Sequence, residues 1–406
     1  MNTAPQRVIL YLMVLVLLVT IGCGKKNVSN GTTAAANPKA DELPDEEYRN
    51  MAGVLEKAVK AGDIDAFNQM IDWDGIVARA LTPSKASKTY DKFFADSTKK
   101  NVLSGIAKKT IRLVNEGSQF RCLRIHTWNG KKCILFRLLN ADKLSLDYFE
   151  FELARKANGM VLISEYYNYR VGDTISQYIR QDYIALAHTV SEMKERGNIA
   201  PEDSAFMKNH RTVSEMMEYI SKGDGESALV LYARLPNAFQ NIKLVLLNRL
   251  EAAHMVGGKE YQDAMEAIRT TLPKDPCLDF VLLDYYFEHQ QYSEMRAAID
   301  RIDEQLGGDS YQDARRSITY MMEKNYRLAR KYAQKAIDQE DTIKLPYFIL
   351  LQTSLQEHDF NETARLLTVM EEKSFMVIPD LTTIPIYAEF VKSPQYQTWL
   401  KRTKPK

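Results

Sequence analysis

The chain has little cysteine, four residues in 406. A disulfide-stapled scaffold needs more cysteines at tighter spacing, so none is expected. Histidine is sparse as well: the six lie far apart, and no Cys or His pair has metal-ligand spacing. No metal and no cofactor are expected. Charge of one sign is also missing, since 54 Lys and Arg against 53 Asp and Glu leave a net +1. That balance leaves no electrostatic footprint for nucleic acid. Neither a Gly-rich phosphate loop nor a Gly-x-Ser-x-Gly elbow occurs. These absences turn the reading away from an enzyme.

Long apolar runs are lacking too, with one exception. After Arg7, the stretch from Val8 to Ile21 is apolar apart from Tyr11 and Thr20. As a helix it would span about 21 Å, short of the ~30 Å hydrocarbon core. A short positive region, a short apolar region and small residues at its end describe a signal peptide, here residues 1–22.

The residues at the end of the run, Thr20-Ile21-Gly22-Cys23, resemble the lipobox of bacterial lipoproteins, although Thr20 stands where that family usually has Leu. The resemblance implies that the Cys23 thiol takes a diacylglycerol, becomes the mature N-terminus and carries acyl chains such as palmitate. Acyl burial contributes ~0.8 kcal/mol per CH₂, so two or three chains anchor a protein without a spanning helix. Gly24 in place of Asp, by the same resemblance, favours the outer membrane facing the periplasm if the cell is Gram-negative. Residues 23–45 are rich in Asn, Ser, Thr, Gly, Ala and Pro without hydrophobic periodicity, and read as a flexible tether. Its r.m.s. reach is on the order of 25 Å.

The roughly 360 residues beyond the tether exceed what one core usually serves, so two domains are expected, 46–172 and 173–406. In the first, Tyr48, Met51, Leu55, Ala58 and Val59 recur at helical spacing up to Gly62, placed to stop that helix. Asp63 is placed to cap a second helix carrying Ile64, Phe67, Met70 and Ile71, and a helical region follows around Tyr90 to Val114. The period then changes to two. Asn129-Gly130 marks a hairpin in which Trp128 faces Lys131 and the numbers of facing residues sum to 259. That register places Cys133 opposite His126 and Cys122 opposite Arg137, too far apart for a bond. Cys122, Cys133 and Cys277 are expected to be free. Leu144 to Leu153 and Met160 to Tyr169 read as two more strands around Asn158-Gly159. Helices followed by a four-stranded antiparallel sheet make an α+β domain. That order of elements resembles the nuclear-transport-factor-2-like superfamily, whose helices pack into a curved sheet and whose members include enzymes and inactive proteins. Pocket candidates are His126, Asp147, Tyr148, Glu150, Glu165, Tyr167 and Tyr169. An acid and a tyrosine converging in a cavity could transfer a proton, but packing aromatics and solvated carboxylates are the favoured reading.

In the second domain, Asp173 is placed to cap a long helix carrying Ile175, Tyr178, Ile179, Leu186 and Val190, and helices then recur. Tyr261, Tyr292, Tyr326 and Phe360 each precede a run with small or apolar residues at helical spacing, and their own spacing is nearly constant. A weaker unit has Gly225, Ala228 and Tyr232. The period, roughly 34 residues, resembles that of tetratricopeptide (TPR) repeats, and implies an all-α solenoid with one concave surface. Met295 and the first-helix residues Arg316 and Ser317 depart from the family pattern. Tyr387, Phe390, Val391, Tyr396, Trp399 and Leu400 are expected to cap the last repeat.

The positions that line the groove in such repeats correspond to Val213, Arg249, Phe280, Ala314 and Phe348, with Asp284, Arg315 and Gln352 beside them, and Phe280, Tyr311 and Phe348 give the set its aromatic character. They do not form a cationic carboxylate clamp; they suit an apolar peptide or helix if they face inward, and ordinary core packing is an equal alternative. The expectation is a lipid-anchored extracytoplasmic scaffold of a bacterial cell envelope, binding a partner protein or peptide. The alternatives are small-molecule binding or proton transfer in the amino-terminal domain, and self-association of the repeats.

Overall fold

The computed structural model describes residues 43–84, 88–99, 104–139, 146–181, 183–184, 205–273, 275 and 278–403. Cys23, Cys277, the signal peptide and most of the tether lie outside the described residues. The described chain falls into two compact units, one ending at Val281 and one starting at Leu282.

In the first unit, helix α1 (Asp45–Ala61) ends at Gly62, whose left-handed φ of 73° lets its N–H return to the turn before. Asp63 caps α2 (Ile64–Gln69) by accepting from the Ala66 N–H at 2.9 Å. Asp72 does the same for α3 (Trp73–Leu81), accepting from Gly75 at 3.1 Å. Helices α4 (Lys88–Thr98) and α5 (Ser104–Asn115) supply the remaining helical layer.

The sheet is an antiparallel meander of β1 (Gln119–Trp128), β2 (Lys131–Leu139), β3 (Leu146–Arg155) and β4 (Val161–Asn168), as the alternation implies. A two-residue β5 (Asp173–Thr174) adds a fifth strand. Asn129 and Gly130 both take positive φ, 48° and 77°, as a two-residue hairpin turn requires. His126 faces Cys133 as expected, but a bulge between Cys122 and Arg124 shifts the register beyond it. Cys122 therefore faces Phe136 rather than Arg137, and joins the helix-covered side, where its N–H donates to Glu56 of α1 at 2.7 Å. An extra residue in one strand moves every later side chain to the other face. Cys122 and Cys133 are free thiols.

One sheet face packs Phe120, Phe136, Phe149, Phe151 and Tyr166 against the helices, Phe120 stacking on Phe136 with centroids 4.6 Å apart. The other carries Cys133, Leu135, Arg137, Tyr148, Glu150 and Tyr169, all buried. That second face is covered in part by Phe280, whose ring lies 6.2 Å from Tyr148 and 6.1 Å from Tyr169.

The cap expected at Asp173 is made by its neighbour. Residues 175–181 are helical (α6). Thr174 Oγ1 accepts from the Gln177 N–H at 3.3 Å and Gln177 Oε1 accepts from the Thr174 N–H at 3.4 Å. This is a reciprocal capping box. Leu186 and Val190 lie outside the described residues.

The helices that follow are α7 (Ala205–Ser221), α8 (Gly225–Ala233), α9 (Asn237–Gln240), α10 (Lys243–Val256), α11 (Gly258–Thr271), α12 (Leu278–Glu288) and α13 (Tyr292–Leu306). After them come α14 (Ser310–Met322), α15 (Tyr326–Gln339), α16 (Leu345–Gln356) and α17 (Phe360–Glu372). A repeated joint organises them. Gly223, Gly257, Gln290, Lys324 and His358 all take positive φ and recur at about 34 residues, the interval of the sequence pattern. After four of these the next residue donates its N–H back into the helix just ended: Asp224 to Tyr219, Gln291 to Tyr286, Asn325 to Tyr320 and Asp359 to Ser354, at 2.7–3.0 Å. Asp224, Asn325 and Asp359 then cap the following helix with their side chains. One residue thus closes a helix with its backbone and opens the next with its carboxylate or amide.

Within the second unit the same period sets ion pairs. Arg296 donates twice to Glu323, at 2.8 and 2.9 Å, and Arg330, one repeat further on, donates to Glu357 at 2.7 Å. Ala298, Ala314, Ser317, Ala329, Ser354 and Thr363 have no exposed surface, so the helices approach where side chains are small. The chain end folds onto α17: Phe390 packs on Phe360 at 5.9 Å, and Tyr396 and Trp399 stack beside it.

Candidate functional site

The pocket candidates do not converge on one point. The structure gathers His126, Glu150 and Tyr169, with Tyr148 and Tyr167 around them, and leaves Asp147 and Glu165 elsewhere. Strand alternation puts Tyr148 and Glu150 on one face of β3, and antiparallel pairing brings Tyr167 opposite Glu150. Glu150 has no exposed surface. Its two oxygens lie 3.0 and 2.9 Å from His126 Nε2, and the Tyr169 hydroxyl donates to Oε1 at 3.0 Å. Tyr167 packs edge-on against Tyr169 at 5.0 Å and lies tilted against Trp128 at 4.7 Å. Burial, with the Glu150 carboxylate second, pushes the Tyr169 phenol far above its ordinary range, so it stays protonated and donates. His126 keeps a fifth of its side-chain surface in solvent, and is the member of this trio that solvent reaches.

Asp147 points the other way and is held by Arg170, which also donates to the Leu146 carbonyl at 3.1 Å. Glu165 accepts from the Ser176 hydroxyl, from the Ser176 and Tyr166 N–H groups, each at 3.2 Å, and from Arg79 at 3.5 Å. Burial raises its carboxyl above the usual range despite those donors. Burial also lifts the Cys122 thiol to about 11 and the Cys133 thiol to about 12, away from thiolate chemistry.

The crevice between helices and sheet is apolar. Phe67, Ile106, Phe120, Phe149, Phe151 and Tyr166 line it, and it has room for about one water. It lies on the sheet face opposite Glu150, so the polar trio does not open into it. Among the described residues no group of His, Cys, Asp and Glu is arranged to hold a metal ion.

The first-helix positions divide. Phe280 is spent on covering the sheet, and Tyr311 is fully buried. Neither presents an open groove, since Phe280 packs on Tyr148 and Tyr169 and Tyr311 has no exposed surface. Arg315 is half-buried and lays its guanidinium 5.5 Å from the Tyr311 ring centroid. Asp284, Phe348 and Gln352 are half-buried, and Gln352 Oε1 is a buried acceptor that no donor reaches. Reasoning from sequence missed the meeting of Asp173, Lys243 and Asp275 in the first unit. Its only sequence signal is a lysine opening an apolar helix.

Comparison with protein-family models, with curated proteins and with solved structures finds no match to this chain.

Proposed function

We propose that this chain is a lipid-anchored extracytoplasmic scaffold, tethered by Cys23 to a membrane of a bacterial envelope, that holds a partner protein or peptide on tetratricopeptide-like repeats. The observation that carries this reading is the helix-turn-helix joint that recurs, about 34 residues apart, from Gly223 to His358. Such units bury their apolar faces by stacking and leave a continuous surface for recognition. The lipobox-like Thr20-Ile21-Gly22-Cys23 supports the anchor. Among the described residues no helix is long and apolar enough to cross a membrane.

Within this reading Arg315, Phe348 and Gln352 carry partner contact, and Phe280 and Tyr311 are packing beneath them or elsewhere. Gln352 is half-buried, so part of the residue remains open to a partner. The amino-terminal α+β domain, with its nuclear-transport-factor-2-like order, serves as the base on the tether. The test is affinity purification from solubilised membranes of the native chain and of an Arg315→Glu, Gln352→Glu double variant. A stoichiometric partner recovered with the first and lost with the second supports the proposal. The same abundant background with both would sink it.

A further inference from the structure

Lys243 is the first residue of α10 and is 7% exposed. Both facts are costly for an ammonium: the positive end of a helix repels it, and burial removes its hydration. Two carboxylates share it. Lys243 Nζ contacts Asp173 Oδ2, and Asp275 Oδ2 lies 3.7 Å from the same nitrogen. Asp173 is 2% exposed and Asp275 6%. Gln181 Nε2 donates to Asp173 Oδ2 at 3.0 Å. The trio comes from three separate places: the terminal strand β5, the start of α10 and the turn before α12. Asp173 is not needed as a cap, because Thr174 does that work.

We propose that Lys243 and Asp173 condense to an intramolecular isopeptide bond, with Asp275 as the proton acceptor. A buried amine held against a carboxylate oxygen, one bond from the carbon it must attack, beside a second carboxylate and away from water, has what the reaction needs. Asp275 takes a proton from the Lys243 ammonium, and the freed amine attacks Asp173 Cγ. The N–C bond forms first and leaves a tetrahedral carbon, whose collapse breaks one C–O bond of Asp173. The departing oxygen takes up two of the ammonium protons and leaves as water, and Asp275 ends as it began. One ammonium and one carboxylate give one amide and one water, with no oxidant, reductant or cofactor. Gln181 steadies the oxygen that carries charge in the tetrahedral stage. The product would covalently staple β5 to α10.

The test is mass spectrometry of the purified full chain beside its Lys243→Arg variant, which keeps the charge but does not condense. After the Lys-to-Arg difference is subtracted, the native chain should be lighter by about 18 Da, one water. Tryptic digestion should yield a branched peptide joining residues 171–180 to residues 235–249, uncut after Lys243. Asp275→Asn should lower the bonded fraction several-fold. Equal corrected masses, with the two peptides recovered separately, would overturn the proposal and leave an ordinary buried ion triad. A water loss that persists in Lys243→Arg would overturn it as well, by placing the dehydration elsewhere.

Discussion

Phe280 sets its ring edge-on against Tyr148, centroids 6.2 Å apart and planes at 62°. A residue expected on the binding face of a repeat thus covers part of the polar face of the sheet, against Tyr148 and Tyr169. Phe280→Ala should lower stability by about 3–5 kcal/mol, the usual cost of deleting a buried aromatic. Phe348→Ala, at a half-buried position, should cost less. Urea unfolding followed by tyrosine fluorescence checks the order; equal losses would contradict the packing role of Phe280.

Glu165 gives a pH prediction. Its folded-state pKa is raised above the ordinary 4.5, chiefly by burial. The native state therefore holds its proton more tightly than the unfolded chain. Its contribution is fully present below the unfolded pKa and is lost as pH rises through the folded one. Relative to Glu165→Gln, the native protein should lose stability from about pH 4.5 upward. Urea midpoints of both proteins across that window measure it, and a difference that stays flat would refute it.

The thiols of Cys122 and Cys133, lifted by burial to about 11 and about 12, should be nearly inert toward iodoacetamide at pH 8 in the folded protein. In denaturant both should react at ordinary rates. Peptide mapping after timed labelling reads each site, and rapid native labelling of Cys133 would disagree with its complete burial.

Lys324 and His358 hold positive φ of 60° and 56° at helix ends where glycine is normally favoured. Lys324→Gly and His358→Gly should each stabilise by about 0.5–1 kcal/mol, because relief of the left-handed backbone outweighs the added freedom of the unfolded chain. Thermal midpoints would show it; a fall in both would mean that the side chains stabilise those turns.

Cys23→Ala should move the chain from the membrane fraction to the soluble fraction and leave its circular dichroism unchanged. Retention of the variant in membranes, with unchanged processing, would refute the lipid anchor.

Much of the architecture is local and so was legible. Asn129-Gly130 writes its own turn, since Asn and Gly tolerate the left-handed angles required. Gly62 and Asp63 end and start helices by groups within a few residues of each other. The repeat period shows in Tyr292, Tyr326 and Phe360 because each repeat solves the same packing problem with its neighbours. That Cys122 and Cys133 are free agrees with their separation along the ladder, while Cys277 lies outside the described residues. The partner of Cys122 was not legible, because the turn sets the register only as far as the bulge at Leu123, beyond which the Cys122 N–H donates to Glu56 of α1.

What tertiary structure alone decided are the meetings of distant residues. Asp173 was legible as a helix cap from its position before an apolar run; the fold gives that role to Thr174 and places Asp173 beside Lys243, remote from it along the chain. His126, Glu150 and Tyr169 were separate candidates until sheet pairing set their atoms 2.9–3.0 Å apart. Periodicity states which side of an element is apolar, but not which element will cover it. So the sequence by itself determined the meander, the turns, the repeat interval and the expectation at Cys23. The fold decided that Phe280 packs the sheet, that Tyr311 is buried, and that Lys243 lies between two carboxylates. Local rules act through a few bonds, whereas these contacts arise only once remote segments compete for the same buried space.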